Sequence, residues 1–306
     1  MAKCTKSAIW ATGQIVIAVL LLEFLLSGCG RKNASHEQSD SSTAAATGEN
    51  HEISVPLDPQ MHQPFADATI SEPPEDWLRP PDTTITGKSV GKLYTEVKNH
   101  WDKIRFVSPR GKPLAYWAIV DSEMGEIEVT LRPDLAPNHV RNFVALAQSG
   151  YYDGLVFERT IHEEGTEGKL ELIEGGCPIG TGEAGYGSIG YWMKPEIRPD
   201  FHVHEEGAVG ACHGQGKDTA ACKFYITLNQ CPFMDGEYTV FGKVTQGLGV
   251  ARKILSLPVR DDSEFPEGDR PVKPVMIRKV TIYTKEMEPT GPTAEPSTPA
   301  ASTAEH

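Results

Sequence analysis

Between Ala115 and Tyr283 the chain carries a succession of short apolar runs, broken by turn residues and interrupted only twice by helical periodicity. Ile127, Val129 and Leu131 alternate with Glu126, Glu128 and Thr130, the period of two expected of a strand with one face buried. Tyr116 to Val120 precedes this run across a short turn ending at Gly125, so the two predict a hairpin. Pro137 opens a helix in which Val140, Phe143, Val144 and Ala147 share a face, and Gly150 stands where a C-terminal cap is wanted. Further strands are expected near 155–159, 170–175, 207–212, 223–228, 238–244 and 275–283, with a second short helix through Val250, Ile254 and Leu255 before the last of them. Many strands and two helices predict a mainly β fold, a closed antiparallel barrel.

Outside this core the composition changes. Lys3 and Lys6 precede an apolar run from Ile15 to Leu26, and Leu26, Ser27, Gly28 and Cys29 follow as a small-residue processing site. The run is too short to span a bilayer, which needs roughly 20 residues. It reads as a signal peptide over 1–28, resembling a bacterial lipobox with Cys29 as the lipidated residue. This places the protein outside the cytoplasm, in the periplasm or cell envelope, with the membrane as a partner through the lipid. Residues 29–84 are poor in large apolar side chains and are expected to form a disordered tether, as is the tail over 286–306. Within 85–113, Val90, Leu93, Val97, Trp101 and Ile104 recur at spacings of three and four, a helical stripe that predicts packing on the domain at 114–285. A net charge of −13 without any basic stripe argues against nucleic acid as a partner.

The stretch WAIVDSEMGEIEVTLRPDLAPNHVRNFVALAQSGYYDGLVFERTI, ending at Ile161, resembles the amino-terminal half of a cyclophilin, a peptidyl-prolyl cis-trans isomerase. LIEGGCP at 172, KFYITL at 223 and PFMDGEYTVFGKV at 232 continue the resemblance in the family's order. It implies an eight-stranded barrel capped by two helices, a monomer acting on proline-containing or unfolded polypeptides, and no cofactor or metal.

The resemblance also assigns residues. Arg159, two positions after Phe157, falls on the catalytic arginine. Leu172, Tyr225 and Met234 fall on the apolar positions that line the proline pocket. Phe233 and Tyr238 stand where some relatives carry Trp and His, and His213 where an asparagine commonly presents its backbone to the peptide. Several positions depart from the pattern. Glu174 and Lys223 replace two glutamines that flank the arginine. Glu171 replaces a pocket phenylalanine, for which Leu170 can substitute. HEEGTEGKLE, between Ile161 and Leu172, is longer than the usual link. If Glu174 and Lys223 face one another they can pair, with Glu174 also bridging to Arg159. These departures leave three expectations: a working isomerase, a proline-peptide-binding module with weak catalysis, or a structural spacer.

Cys177, Cys212, Cys222 and Cys231 remain after Cys4 and Cys29 are set aside, and sequence alone leaves two disulfides or free thiols open. His202, His204, Cys212 and His213 have zinc-ligand chemistry but no closed-site spacing, so a metal is not expected. GTGEAGYGSIG at 180 lacks the strand-to-helix setting of a phosphate loop and reads as a surface loop of the barrel.

Overall fold

A computed structural model describes residues 62–166, 168–198, 203–260 and 269–287. The signal segment, Cys29, His202 and the tail beyond 287 lie outside the described residues. Eight antiparallel strands close into a barrel: β2 (Leu114–Ser122), β3 (Gly125–Leu131), β4 (Val156–Gly165), β5 (Gly168–Gly175), β7 (Ala208–Ala211), β8 (Phe224–Thr227), β9 (Val240–Gln246) and β10 (Val275–Glu286). Their order around the barrel is β10-β2-β3-β9-β7-β8-β5-β4. β2 and β3 form the expected hairpin, with Val120 opposite Ile127 and Ala118 opposite Val129. Helices α3 (Pro137–Gln148) and α4 (Leu248–Leu255) stand where the 3.6-residue periodicity placed them. The start of α3 is held by Glu196, whose carboxylate accepts from the backbone N–H groups of Asn138 and His139 at 3.1 and 2.8 Å.

Closure lets each strand serve two apolar faces. Ile173, Phe224 and Ile226 join the main core with Phe143, Tyr152 and Phe241. Their neighbours of opposite parity, Leu170, Leu172 and Tyr225, form a second, smaller cluster with Ile161, Cys231 and Met234. Because successive side chains alternate across a strand, the smaller cluster lies on the other side of the sheet from the core.

Two expectations change. The tether expected over 29–84 is described from residue 62, and from there it is packed. Short helix α1 (Phe65–Ala68) leads into β1 (Thr69–Ile70), which pairs with β6 (Trp192–Met193), and Phe65, Ala68, Leu78 and Thr84 are buried. A few anchors suffice because their docking surface is built by other segments. Phe65 meets Trp101 and Tyr191 edge-on, at centroid separations of 5.3 and 5.0 Å. The strands expected near 155–159 and 170–175 run on through the longer link: β4 and β5 continue past the barrel as a hairpin, with His162 opposite Glu171 and Gly165 opposite Gly168. Backbone pairing carries it through charged residues that bury no face.

Helix α2 (Val90–Trp101) buries Val90, Leu93, Val97 and Trp101, as its stripe predicts, and it packs on α3. The stretch after it is also built in, with Ile104 and Phe106 buried. The Arg141 guanidinium lies 5.5 Å from the Trp101 ring and 4.9 Å from Phe106, and Trp101 Nε1 donates to the Gln63 carbonyl at 2.9 Å. Among the described residues no helix is long and apolar enough to cross a membrane. Trp101→Ala should therefore lower the unfolding free energy of the whole domain by about 3–5 kcal/mol. Urea denaturation followed by circular dichroism reads this; a change confined to a local, non-cooperative loss would separate α2 from the barrel.

Candidate functional site

Three neighbouring strands place the polar centre of the site. Arg159 on β4 lies opposite Glu174 on β5, and Glu174 lies opposite Tyr225 on β8, so their side chains meet on the face that carries the smaller cluster. Arg159 Nη1 donates to Glu174 Oε1 at 3.2 Å, and Lys223 Nζ donates to Glu174 Oε2 at 3.0 Å. The pairing expected from the two replaced glutamines is present. A second carboxylate grips the guanidinium: Arg159 Nε donates to Asp269 Oδ2 at 2.8 Å, and Nη2 also reaches this oxygen. The Arg159 side chain is only 12% exposed, with Glu174 and Asp269 buried.

Burial works against the charge of Glu174, yet Arg159 and Lys223 together hold its carboxyl down at about 2. Burial likewise works against the Lys223 ammonium, and Glu174 more than restores it, so its pKa is raised. Glu158, adjacent in sequence to Arg159, has the opposite fate. It is buried, its Oε1 accepts the Cys177 N–H at 3.2 Å, and its Oε2 has no hydrogen-bond partner among the described residues. Burial pushes its carboxyl up to about 7, against the pull of Lys223.

Beside these charges lies an apolar floor. Leu172, Tyr225, Met234 and Ile161 are buried together, with Phe233 and Tyr238 partly exposed at its rim. Leu170 is buried in this cluster and fills the space that Glu171 does not. Glu171 turns to Lys169 Nζ at 2.8 Å and His162 Nδ1 at 3.0 Å, so it does not occupy the pocket. The Tyr225 phenol rests on Gly210, where a Cβ would stand 2.2 Å from its hydroxyl oxygen, so that position of β7 must be glycine. The hydroxyl is bonded to His204 Nε2 at 2.7 Å, and His204 Nδ1 meets Asp235 Oδ1 at 2.7 Å. Burial lowers the pKa of His204 despite Asp235, so the neutral ring donates from Nδ1 and accepts the phenol proton at Nε2. This chain of bonds fixes the floor of the pocket. His213 stacks on Tyr238 at a centroid separation of 4.2 Å, and its Nε2 is bonded to the Glu237 carbonyl at 3.1 Å.

All the described site positions read from sequence thus converge, including Glu174, Lys223, Phe233 and His213. Three groups were missed in that role. Asp269 sits far along the chain in a turn-rich acidic segment, with no local pattern to mark it. His204 and Asp235 carry a signal only once the tyrosine hydroxyl at 225 is known to need a partner. Cys177, Cys222 and Cys231 are buried and Cys212 half-buried, all as free thiols, so the choice left open resolves to unpaired cysteines among the described residues. Burial pushes Cys222 up to about 12 and Cys231 up to about 11, which leaves them poor nucleophiles.

A family model described as cyclophilin type peptidyl-prolyl cis-trans isomerase/CLD matches residues 117–282. The chain belongs to the cyclophilin-type peptidyl-prolyl cis-trans isomerase family. It is 43% identical to peptidyl-prolyl cis-trans isomerase B of Bacillus subtilis, over 42% of this chain and 82% of that one. It is 36% identical to peptidyl-prolyl cis-trans isomerase ppi1 of Schizosaccharomyces pombe, over 52% of this chain and 94% of the relative. A match to a longer protein, peptidyl-prolyl cis-trans isomerase-like 2 of Rhizopus delemar, is 34% identical over 61% of this chain but spans only 32% of that relative. Among solved structures it is similar to a cyclophilin type isomerase of Cryptosporidium parvum, solved in the presence of the dipeptide Ala-Pro. That similarity has a TM-score of 0.47 and 25% identity, covering 55% of this chain and 98% of the other.

The buried acid gives the site a pH signature. A carboxyl raised from about 4.5 to about 7 on folding binds its proton more tightly in the native state. It therefore contributes stability that is fully present below about 4.5 and lost as pH rises through about 7. Glu158→Gln should abolish this loss, so its stability relative to wild type should increase between pH 5 and pH 8. Urea denaturation at both pH values reads the difference; a constant offset would show that Glu158 does not titrate in this window.

Proposed function

We propose that this groove catalyses cis-trans isomerisation of X-Pro bonds in extracytoplasmic polypeptides, with Arg159 as the catalytic residue. The observation that carries this reading is a fixed guanidinium beside an apolar floor, within a cyclophilin barrel. Rotation about an X-Pro bond is slow because amide resonance is lost in the twisted state. No covalent step is needed to speed it. The proline ring enters the cluster of Leu172, Tyr225 and Met234, and the twisted nitrogen, now pyramidal, accepts a hydrogen bond from Arg159. Asp269 and Glu174 hold the plane of the guanidinium, so little reorganisation is needed at the moment of reaction. Lys223 offsets Glu174, which would otherwise cancel more of the arginine's field.

One observation favours a second reading, a proline-peptide-binding module with weak catalysis. The two carboxylates bond to the guanidinium that the twisted amide also needs. Arg159→Ala distinguishes the readings. It should lower kcat/KM on an Ala-Pro peptide by about 100-fold or more, equivalent to about 2.7 kcal/mol. The variant stays folded but melts lower, since Asp269 loses its cation. Arg159→Lys keeps a charge for the carboxylates and loses the planar fork, so it should recover stability but not rate. NMR exchange spectroscopy and thermal melts measure the two effects; a wild type with no rate enhancement but saturable peptide binding would establish the second reading.

The same proposal places the protein as a monomeric lipoprotein, anchored through Cys29 and serving proline-containing or unfolded chains outside the cytoplasm. Its support is the basic, apolar and small-residue order of the first 29 residues. Metabolic labelling with a fatty acid in a bacterial host should mark the wild type, and Cys29→Ser should remove the label and release the protein from membranes. Label retained in Cys29→Ser would overturn the anchor.

A further inference from the structure

Trp77 is 40% exposed, an unusual setting for so large an apolar side chain, and it stands outside the residues matched by the family. Two loops converge on its indole. On one side a Cβ built at Gly185 would meet indole Cε3 at 3.4 Å, and on the other a Cβ at Gly214 would meet Cη2 at 3.5 Å. Both loops therefore lie close against the ring, at separations where a Cβ would make ordinary van der Waals contact. The segment is pinned as well as packed: Gly216 N–H donates to Glu75 Oε1 at 3.1 Å, and Arg79 N–H donates to the Gly185 carbonyl at 2.7 Å. Trp77 Nε1 donates to the other oxygen of Glu75.

These loops are the walls of the groove. Gly182, three residues before Gly185, lies against the aliphatic stem of Arg159, where a Cβ would come within 2.8 Å of Cδ. His213, next to Gly214, carries the stack on Tyr238 at the opposite rim. Two further exposed apolar side chains border the same loop, Tyr186 on it and Ile85, whose N–H donates to the Pro178 carbonyl at 2.7 Å. Exposed apolar side chains thus border the loop that touches Arg159, and the anchoring of Trp77 keeps the entropy cost of binding low.

We propose that Trp77 forms a second client-binding subsite, which takes an apolar or aromatic side chain of the polypeptide flanking the bound proline. The inference rests on the reading of the groove as a proline-peptide site. It makes the N-terminal segment a specificity element that selects extended apolar stretches, such as non-native chains expose, over isolated prolines.

The test uses the full chain and two peptides, a short blocked Ala-Pro peptide and a longer one that adds Phe and Leu residues around the same Ala-Pro. Trp77→Ala should raise KM for the longer peptide about tenfold while leaving kcat and the short-peptide KM unchanged, and Trp77→Phe should recover most of the loss. In wild type, the Trp77 indole N–H resonance should shift on titration with the longer peptide and not with the short one, a readout independent of how Trp77→Ala folds. An equal KM change for both peptides, no change for either, or an indole signal unmoved by the longer peptide would overturn the subsite. Should wild type accelerate neither peptide, the isomerase reading fails by itself. Calorimetric Kd values for the longer peptide then decide the subsite, about tenfold weaker for Trp77→Ala if it exists and equal if it does not.

Discussion

A carboxylate leaves water only in company, and Glu174 is the group on which this site depends. Buried at the junction of β4, β5 and β8, it requires Arg159 on one side and Lys223 on the other. Replacing a buried charge network by apolar residues is often neutral for stability, so such a network is poor evidence of a gain in folding energy. Its effect here is geometric. Glu174 and Asp269 approach the guanidinium from two directions, and a planar fork held from two directions has one orientation. The apolar floor is fixed by similar logic, since the phenol of Tyr225 is buried and must find a partner, which His204 and Asp235 provide.

Much of this was legible because alternation is a strong signal. Ile127, Val129 and Leu131 set the face of β3, whereas the meeting of Glu174 with Arg159 and Lys223 was implied by the resemblance to the cyclophilins. What escaped was distributed otherwise. Asp269 meets Arg159 across 110 positions of chain, and barrel closure alone brings them together. Phe65 and Leu78 were hidden in a Pro- and Glu-rich stretch because composition averages over a segment, whereas docking needs only a few side chains with a surface to meet. The extension of β4 and β5 beyond the expected strands at 155–159 and 170–175 escaped for a related reason. Glu163 and Glu164 bury nothing, and a strand stabilised by its own backbone pairing leaves no apolar period to detect.

The two chemistries of neighbouring residues Glu158 and Arg159 show how finely a strand sorts charge. The arginine finds two carboxylates at the edge of the groove. The acid next to it is turned into the protein with no cation bonded to it among the described residues, and it keeps its proton to near neutrality. Both are legible as charged letters in FERTI, and only their burial tells them apart.

The barrel is also a statement about time. Its seam is β10, the last barrel strand among the described residues, which pairs with β2, the first barrel strand, along nearly its whole length and with β4 at its other end. No earlier strand can close the ring, and the Arg159 clamp is completed by Asp269, which lies just before that seam. A chain emerging from its N-terminus therefore holds an open sheet until almost its last described residues arrive. Such long-range closure slows folding. Until β10 arrives, β2 and β4 are left as open edges of the sheet.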